Sequence, residues 1–217
     1  MNIFGYGKIV NCKGKELLID GALKNNEENI KYLNLTGELN INNVKIGDLQ
    51  VEGCVKGERL EASCLSVNGD LLVKNISAGK IKLEGRVSSA IMYGKNIDIN
   101  GGINCNEIKS NKLCIICNSK SDIEQIESPS VCIKKNVITN IQGNLLFRLI
   151  NVRQKSKFVI KIGSIKGESV DISGVNVSTI ISKKVRIKNK SVVKRVICSH
   201  KPEISPDSVV EEVIINN

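Results

Sequence analysis

The sequence predicts an all-β chain wound as a right-handed parallel β-helix, a solenoid with coils of about 16 residues, and three observations carry that reading. Glycines fall at Gly5, Gly21, Gly37, Gly53, Gly69, Gly85 and Gly101, at one constant interval of sixteen. Around them apolar and polar residues alternate at period 2, the pattern of strands with one buried face. The chain is 41% apolar yet has only three Tyr, three Phe and no Trp, so its interior must be filled by Ile, Val and Leu, the residues of strands.

Each part of the coil follows from its columns. Four residues before each glycine stand Met1, Leu17, Leu33, Leu49, Leu65, Ile81 and Ile97, and two before it stand Ile3, Ile19, Leu35, Val51, Val67, Leu83 and Ile99. Leu39, Val55, Leu71, Val87 and Ile103 continue the alternation two residues after it. A second alternating run begins seven residues after the glycine, with Val44, Leu60, Ile76, Met92 and Ile108. A register fixed at sixteen lays each coil on the one before, and three short strands with corners fit that length. Glycine suits a corner or a close backbone approach because it has no Cβ to clash. Sixteen does not divide into the hexapeptides of left-handed β-helices, so the usual right-handed crossover is expected.

Past residue 115 the register slips. Cys117 takes the glycine position, and Val131 and Ile133 arrive two positions later than the period would place them after Leu113 and Ile115, beyond Pro129. Phe147 and Leu149 fall one regular period further on and read as the next coil; Asn151 to Lys157 reads as an inserted loop; Val170/Ile172 and Val185/Ile187 recur at a spacing of fifteen. Residues 1–128 are thus a regular β-helix, and residues 129–217 read as less regular coils of the same solenoid, with a separate small β domain as the alternative.

Charge divides the chain the same way. Residues 1–128 hold 16 Lys/Arg and 16 Asp/Glu, whereas residues 129–217 hold 16 and 6, so the whole net charge of +10 lies in the second part. A basic end on a neutral body points to an anionic partner. The sharpest feature is Lys183, Lys184, Arg186, Lys188, Lys190, Lys194 and Arg195, where Arg186 and Lys188 alternate with Val185 and Ile187 and so face outward. Lipid headgroups suit these cations better than nucleic acid, because no aromatic side chains interleave with them to stack bases. A solvated, edge-blunting lysine face is the competing explanation.

No apolar run is long enough to span a bilayer. Eight cysteines without an apolar leader point to reduced thiols and a cytoplasmic location. Cys114-x-x-Cys117, with Cys105 and Cys132 nearby, has the look of a zinc site. The strand register argues otherwise, since Cys114 and Cys117 should point to different faces while Cys114 and Cys132 occupy matching outward positions. The single histidine, His200, has no partners in sequence that make a triad, and no glycine-rich loop opens a helix to cradle phosphate. No metal, cofactor or small-molecule substrate is expected.

The coil pattern in LQVEGCVKGERLEASCLSVNGDLLVKNISAGKIKLEGRV resembles the bactofilins, polymer-forming bacterial cytoskeletal proteins. In both, a strand ends in an acidic residue or Asn followed by Gly, then come a short apolar strand and an apolar-x-Ala element. The tail, with LLFRLIN, VDISGVNVSTI, VRIKN and ISPDSVVEEVI, is similar to Firmicute members of that family. The resemblance implies a right-handed three-sided β-helix that polymerises end to end without nucleotide, a scaffold often associated with the inner membrane face and with cell-envelope proteins. It departs in one respect: Met1, Ile3 and Gly5 are already in register, so a membrane anchor on an N-terminal tail is not expected. On this reading the contacts are made by the end coils, through Met1, Ile3 and Phe4 at one end and Val210, Val213 and Ile215 at the other. The alternatives are a capped adaptor that binds membrane or a partner protein, and a β-helix enzyme such as a hexapeptide acyltransferase.

Overall fold

The computed structural model describes residues 2–8, 16–25, 30–136 and 158–216, the first two stretches by their backbone. The chain runs through β1 (Asn2–Lys8), β2 (Glu16–Asn25), β3 (Ile30–Cys117), β4 (Ser121–Glu127), β5 (Ser130–Lys135), β6 (Ile160–Ser173), β7 (Asn176–Lys188), β8 (Val192–Cys198), β9 (Glu203–Ile204) and β10 (Val209–Ile215). All pairing between them is parallel and belongs to one sheet, and no helix occurs among the described residues. The expected all-β solenoid is therefore the fold.

β3 is a continuous extended stretch of 88 residues, five and a half of the sequence periods. Its coils lie on one another, as the ion pair at 2.9 Å between Arg86 and Asp70, one period apart, shows. Each coil has six inward positions, in three pairs. In one coil these are Leu33/Leu35, Leu39/Ile41 and Val44/Ile46, and two coils later Leu65/Val67, Leu71/Val73 and Ile76/Ala78, all buried. Within a pair the step is two residues, so each pair marks one side of a three-sided coil. Two of the corners take an odd step of three residues, which breaks the alternation and turns the chain.

The third corner is a step of four with the repeating glycine at its centre. Gly53, Gly69 and Gly85 have φ of +140°, +137° and +137°, which L side chains rarely adopt. A Cβ on Gly69 would stand 1.9 Å from the carbonyl oxygen of Gly53 in the coil below. Both reasons expected for glycine, corner and close approach, apply at once.

Several small polar side chains enter the interior with a partner for their donor, whereas the buried Ser110 hydroxyl has none. Ser89, Ser128 and Ser182 each donate to the carbonyl two residues ahead, at 2.9, 3.0 and 3.0 Å, and the Cys105 thiol does the same toward Glu107 at 3.3 Å. Burial pushes the Cys105 thiol up to about 12 and the Cys117 thiol to about 11, because a thiolate there would lie among apolar side chains. Iodoacetamide at pH 8 should consequently label exposed Cys64 quickly and leave Cys105 and Cys117 unlabelled until urea opens the coils. Peptide mapping of the alkylated protein reads the difference, and early labelling of Cys105 would contradict the packing described. The same two thiols lower stability in alkali: their raised folded values mean that only the unfolded chain gives up these protons as pH passes 9, so the native state loses ground above it.

The C-terminal coils stay in the same sheet but change length. Leu113 pairs with Val131 and Ile115 with Ile133, then Val131 with Val170 and Ile133 with Ile172, then Val170 with Val185 and Ile172 with Ile187. The row passes straight from Val131 and Ile133 to Val170 and Ile172. Phe147 and Leu149, and Asn151 to Lys157, lie outside the described residues. The chain between Ser121 and its partner Ile160 is more than twice as long as a coil. Without residues 137–157 it would have the length of the coil immediately before it, Asn104 to Asp122. The extra chain enters at the corner between two sides, where the Lys135 ammonium donates to the Phe158 carbonyl at 2.6 Å and stands 4.4 Å from that ring's centre. A chain joining Asn136 directly to Phe158 should keep a cooperative melt, because the joined coil has the length of the one before it. Circular dichroism with thermal melting tests this, and loss of the cooperative melt would contradict it.

Candidate assembly ends and basic coil

The order of pairing puts β1 at one end of the sheet and β10 at the other. β1 pairs only with β2, placing Ile3 opposite Ile19 and Phe4 opposite Asp20, so its far edge has no partner among the described residues. Met1 lies outside the described residues. Ile3 and Phe4 hold positions on the end strand, as the sequence reading expected.

At the other end the last coil occupies the inward columns of the coil beneath. Ile187 is fully buried, and its successor Ile204 is 39% exposed. Val196 is fully buried and its successor Val213 is 40% exposed; Cys198 is 2% exposed and its successor Ile215 47%. Val210, above buried Val193, is half-buried and packs against the core. These side chains point along the inward columns with no further coil among the described residues to cover them. The end is an open one: a row of unpaired strand edges under half-exposed Ile and Val. Val210, Val213 and Ile215 were expected here; Ile204 was not, because β9 has two residues and shows no alternation of its own. Only its register, directly opposite Ile187 in the coil below, identifies it.

The seven cations of the basic segment are all exposed, as expected. They do not form a single stripe. From Lys183 to Arg195 the chain covers most of one coil, since Ser182 already pairs with Cys198. Lys184, Arg186 and Lys188 alternate outward along β7 and share one side, whereas Lys190 sits past a corner and Lys194 and Arg195 lie on β8. Asn189 and Lys190 make that corner with φ of 53° and 58°, in place of the glycine used elsewhere.

Carboxylates on neighbouring coils answer four of these charges. Lys183 pairs with Glu168 at 3.0 Å, Arg186 with Glu203 at 2.7 Å and Asp171 at 3.9 Å, Lys188 with Asp171 at 3.7 Å, and Arg195 with Glu212. The two hydrogen bonds from Arg186 hold the Glu203 carboxyl below the usual range. Lys184, Lys190 and Lys194 make no ion pair among the described residues. These pairings were missed in sequence because the partners stand a full coil apart along the chain, a separation that means adjacency only once the coil lengths are known.

Cys114 and Cys117 separate as expected: Cys117 is buried and Cys114 is outward and half-exposed. Among the described residues no three His, Cys, Asp or Glu side chains converge as a metal site of that kind would need. His200 is exposed and its Nδ1 lies 3.1 Å from the Lys183 carbonyl oxygen. No helix of the described residues is long and apolar enough to cross a membrane. The fold is a β-solenoid, and among the described residues no coil covers the one formed by β9 and β10. No protein-family model, curated protein or solved structure matches the chain.

Proposed function

We propose that the protein is a structural scaffold of the bactofilin kind, a cytoplasmic chain that assembles end to end into filaments without nucleotide. The single observation that supports this is the last coil, in which Ile204, Val213 and Ile215 stand half-exposed on columns that are sealed one coil below. A second copy adding its end strand would pair the free edge of β10 and cover those side chains, each buried Val or Ile contributing up to roughly 1.5–3 kcal/mol. The resemblance of the coil sequence to bactofilins points the same way. Negative-stain electron microscopy of the purified chain in low and moderate salt, with no nucleotide, tests the proposal: filaments are expected, and a persistent monomer at every concentration rejects it.

The basic coil supports attachment of such a filament to an anionic inner membrane face. The side of β7 bearing Lys184, Arg186 and Lys188 is the contact, at about 1 kcal/mol per cation brought to the headgroups. Two of the three already share carboxylates, so the attraction per subunit is weak and the filament multiplies it. Replacing these three with Gln should cut flotation with anionic liposomes about tenfold, and raising salt should do the same to the parent. Lys194→Gln with Arg195→Gln, on a different side, should float as the parent does; equal losses from both sets would reject this face as the contact.

A further inference from the structure

The structure brings together one pair of chemically reactive side chains that the scaffold reading leaves unused. Cys114 on β3 and Cys132 on β5 are directly opposite in register on neighbouring parallel strands, both outward and both half-exposed. Burial raises the Cys114 thiol above its ordinary range, and Cys132 beside it raises it further, as two thiols in close proximity must. Asp98 and Lys134 are both near enough to act on the Cys114 thiol, and Asp171 is the next residue of the row, opposite Cys132.

We propose that Cys114 and Cys132 form a two-coordinate thiolate site for a soft monovalent cation, Cu(I) being the biological ion of that class. Neighbouring strands stand about 4.8 Å apart, which brings stacked thiols close to the separation that a linear sulfur–metal–sulfur unit requires. Zinc needs four ligands, and no third ligand converges here among the described residues. The flanking carboxylates are hard donors, and Asp171 turns Oδ2 to Arg186 and Lys188 at 3.9 and 3.7 Å while its buried Oδ1 has no hydrogen-bond partner. A disulfide spans Cα atoms about 4.4–6.8 Å apart with Cβ atoms about 3.5–4.5 Å apart, so the same pair can also be oxidised, and the ion is held by the reduced form. Binding converts two thiols and one Cu(I) into a bis-thiolate complex of charge −1 and releases two protons to solvent; the Lys134 ammonium offsets the new charge.

The test is competition of the reduced full-length protein against a chromophoric Cu(I) chelator under anaerobic conditions. One ion per chain should be held by this pair, and Cys114→Ser and Cys132→Ser should each weaken it roughly a hundredfold or more. Cys64→Ser, which removes an exposed thiol elsewhere, should leave that affinity unchanged. Because two protons leave, affinity should fall about a hundredfold for each unit of pH below the thiol range. Circular dichroism of the serine variants checks that their coils remain folded, as outward substitutions should allow. Unchanged Cu(I) affinity in folded Cys114→Ser and Cys132→Ser would overturn the proposal, as would a loss that follows Cys64→Ser instead.

Discussion

Val213→Asp combined with Ile215→Asp should abolish filament formation while leaving the coils folded. Both side chains lie on inward columns of the last coil and are 40% and 47% exposed, so in the free chain a carboxylate there keeps its water. In an end-to-end junction the same carboxylate would be sealed against the apolar columns of the next subunit. Burying an unpaired charge costs several kcal/mol, and a loss of about 4 kcal/mol per junction weakens association roughly a thousandfold. Sedimentation velocity should show the variant as a single slow species at concentrations where the parent pellets, with a far-ultraviolet spectrum unchanged. Lys183→Gln with Lys184→Gln, on the outer surface of a lower coil, should pellet like the parent. Filaments of normal length from the double Asp variant would place the junction elsewhere.

The second large effect is on the fold itself. Gly69→Ala places a Cβ 1.9 Å from the Gly53 carbonyl oxygen, with φ at +137°, and the coil below cannot yield because its own glycine stacks in the same way on Gly37. Strain of this kind, with loss of the local register, should cost about 3 kcal/mol, a fall of roughly 6–12 °C in Tm. Gly79→Ala is the control: its Cβ would meet the Ser63 carbonyl oxygen at 2.8 Å and its φ lies outside the positive range that disfavours side chains. The expected order is parent, Gly79→Ala, Gly69→Ala, and equal melts for the two variants would contradict the corner as described. Neighbouring coils carry the same corner, so Gly53→Ala and Gly85→Ala should rank with Gly69→Ala.

How much of this could be read from sequence depended on whether the corner kept its glycine. From Leu33 to Ile115 the inward columns are those the sixteen-residue period marks, because Gly37 to Gly101 hold one corner at one position in every coil. Beyond it the corner is built from Cys117, Lys135, Gly174 and Asn189, and the coil length changes at each step, with Leu113 meeting Val131, Val170 meeting Val185 and Ile187 meeting Ile204. With no constant marker, the register across this part could not be counted from the sequence, and the sheet passes from Ile133 directly to Ile172. The outward placement of Arg186 and Lys188 was legible, since strand alternation alone decides it. Their neutralisation was not, because Glu203 and Asp171 reach them only through the stacking of coils. The end strand was legible for Val210, Val213 and Ile215, apolar residues of the last long strand, and hidden for Ile204, whose strand is too short to show a period.

Coils that continue from one subunit into the next are what the filament requires, and fibre diffraction of aligned filaments measures that most directly. A strong meridional reflection at about 4.8 Å is expected, with strands perpendicular to the filament axis and the repeat unbroken across the subunit junction. Strands lying along the axis, or a protein that stays a dispersed monomer under every condition tried, would contradict it.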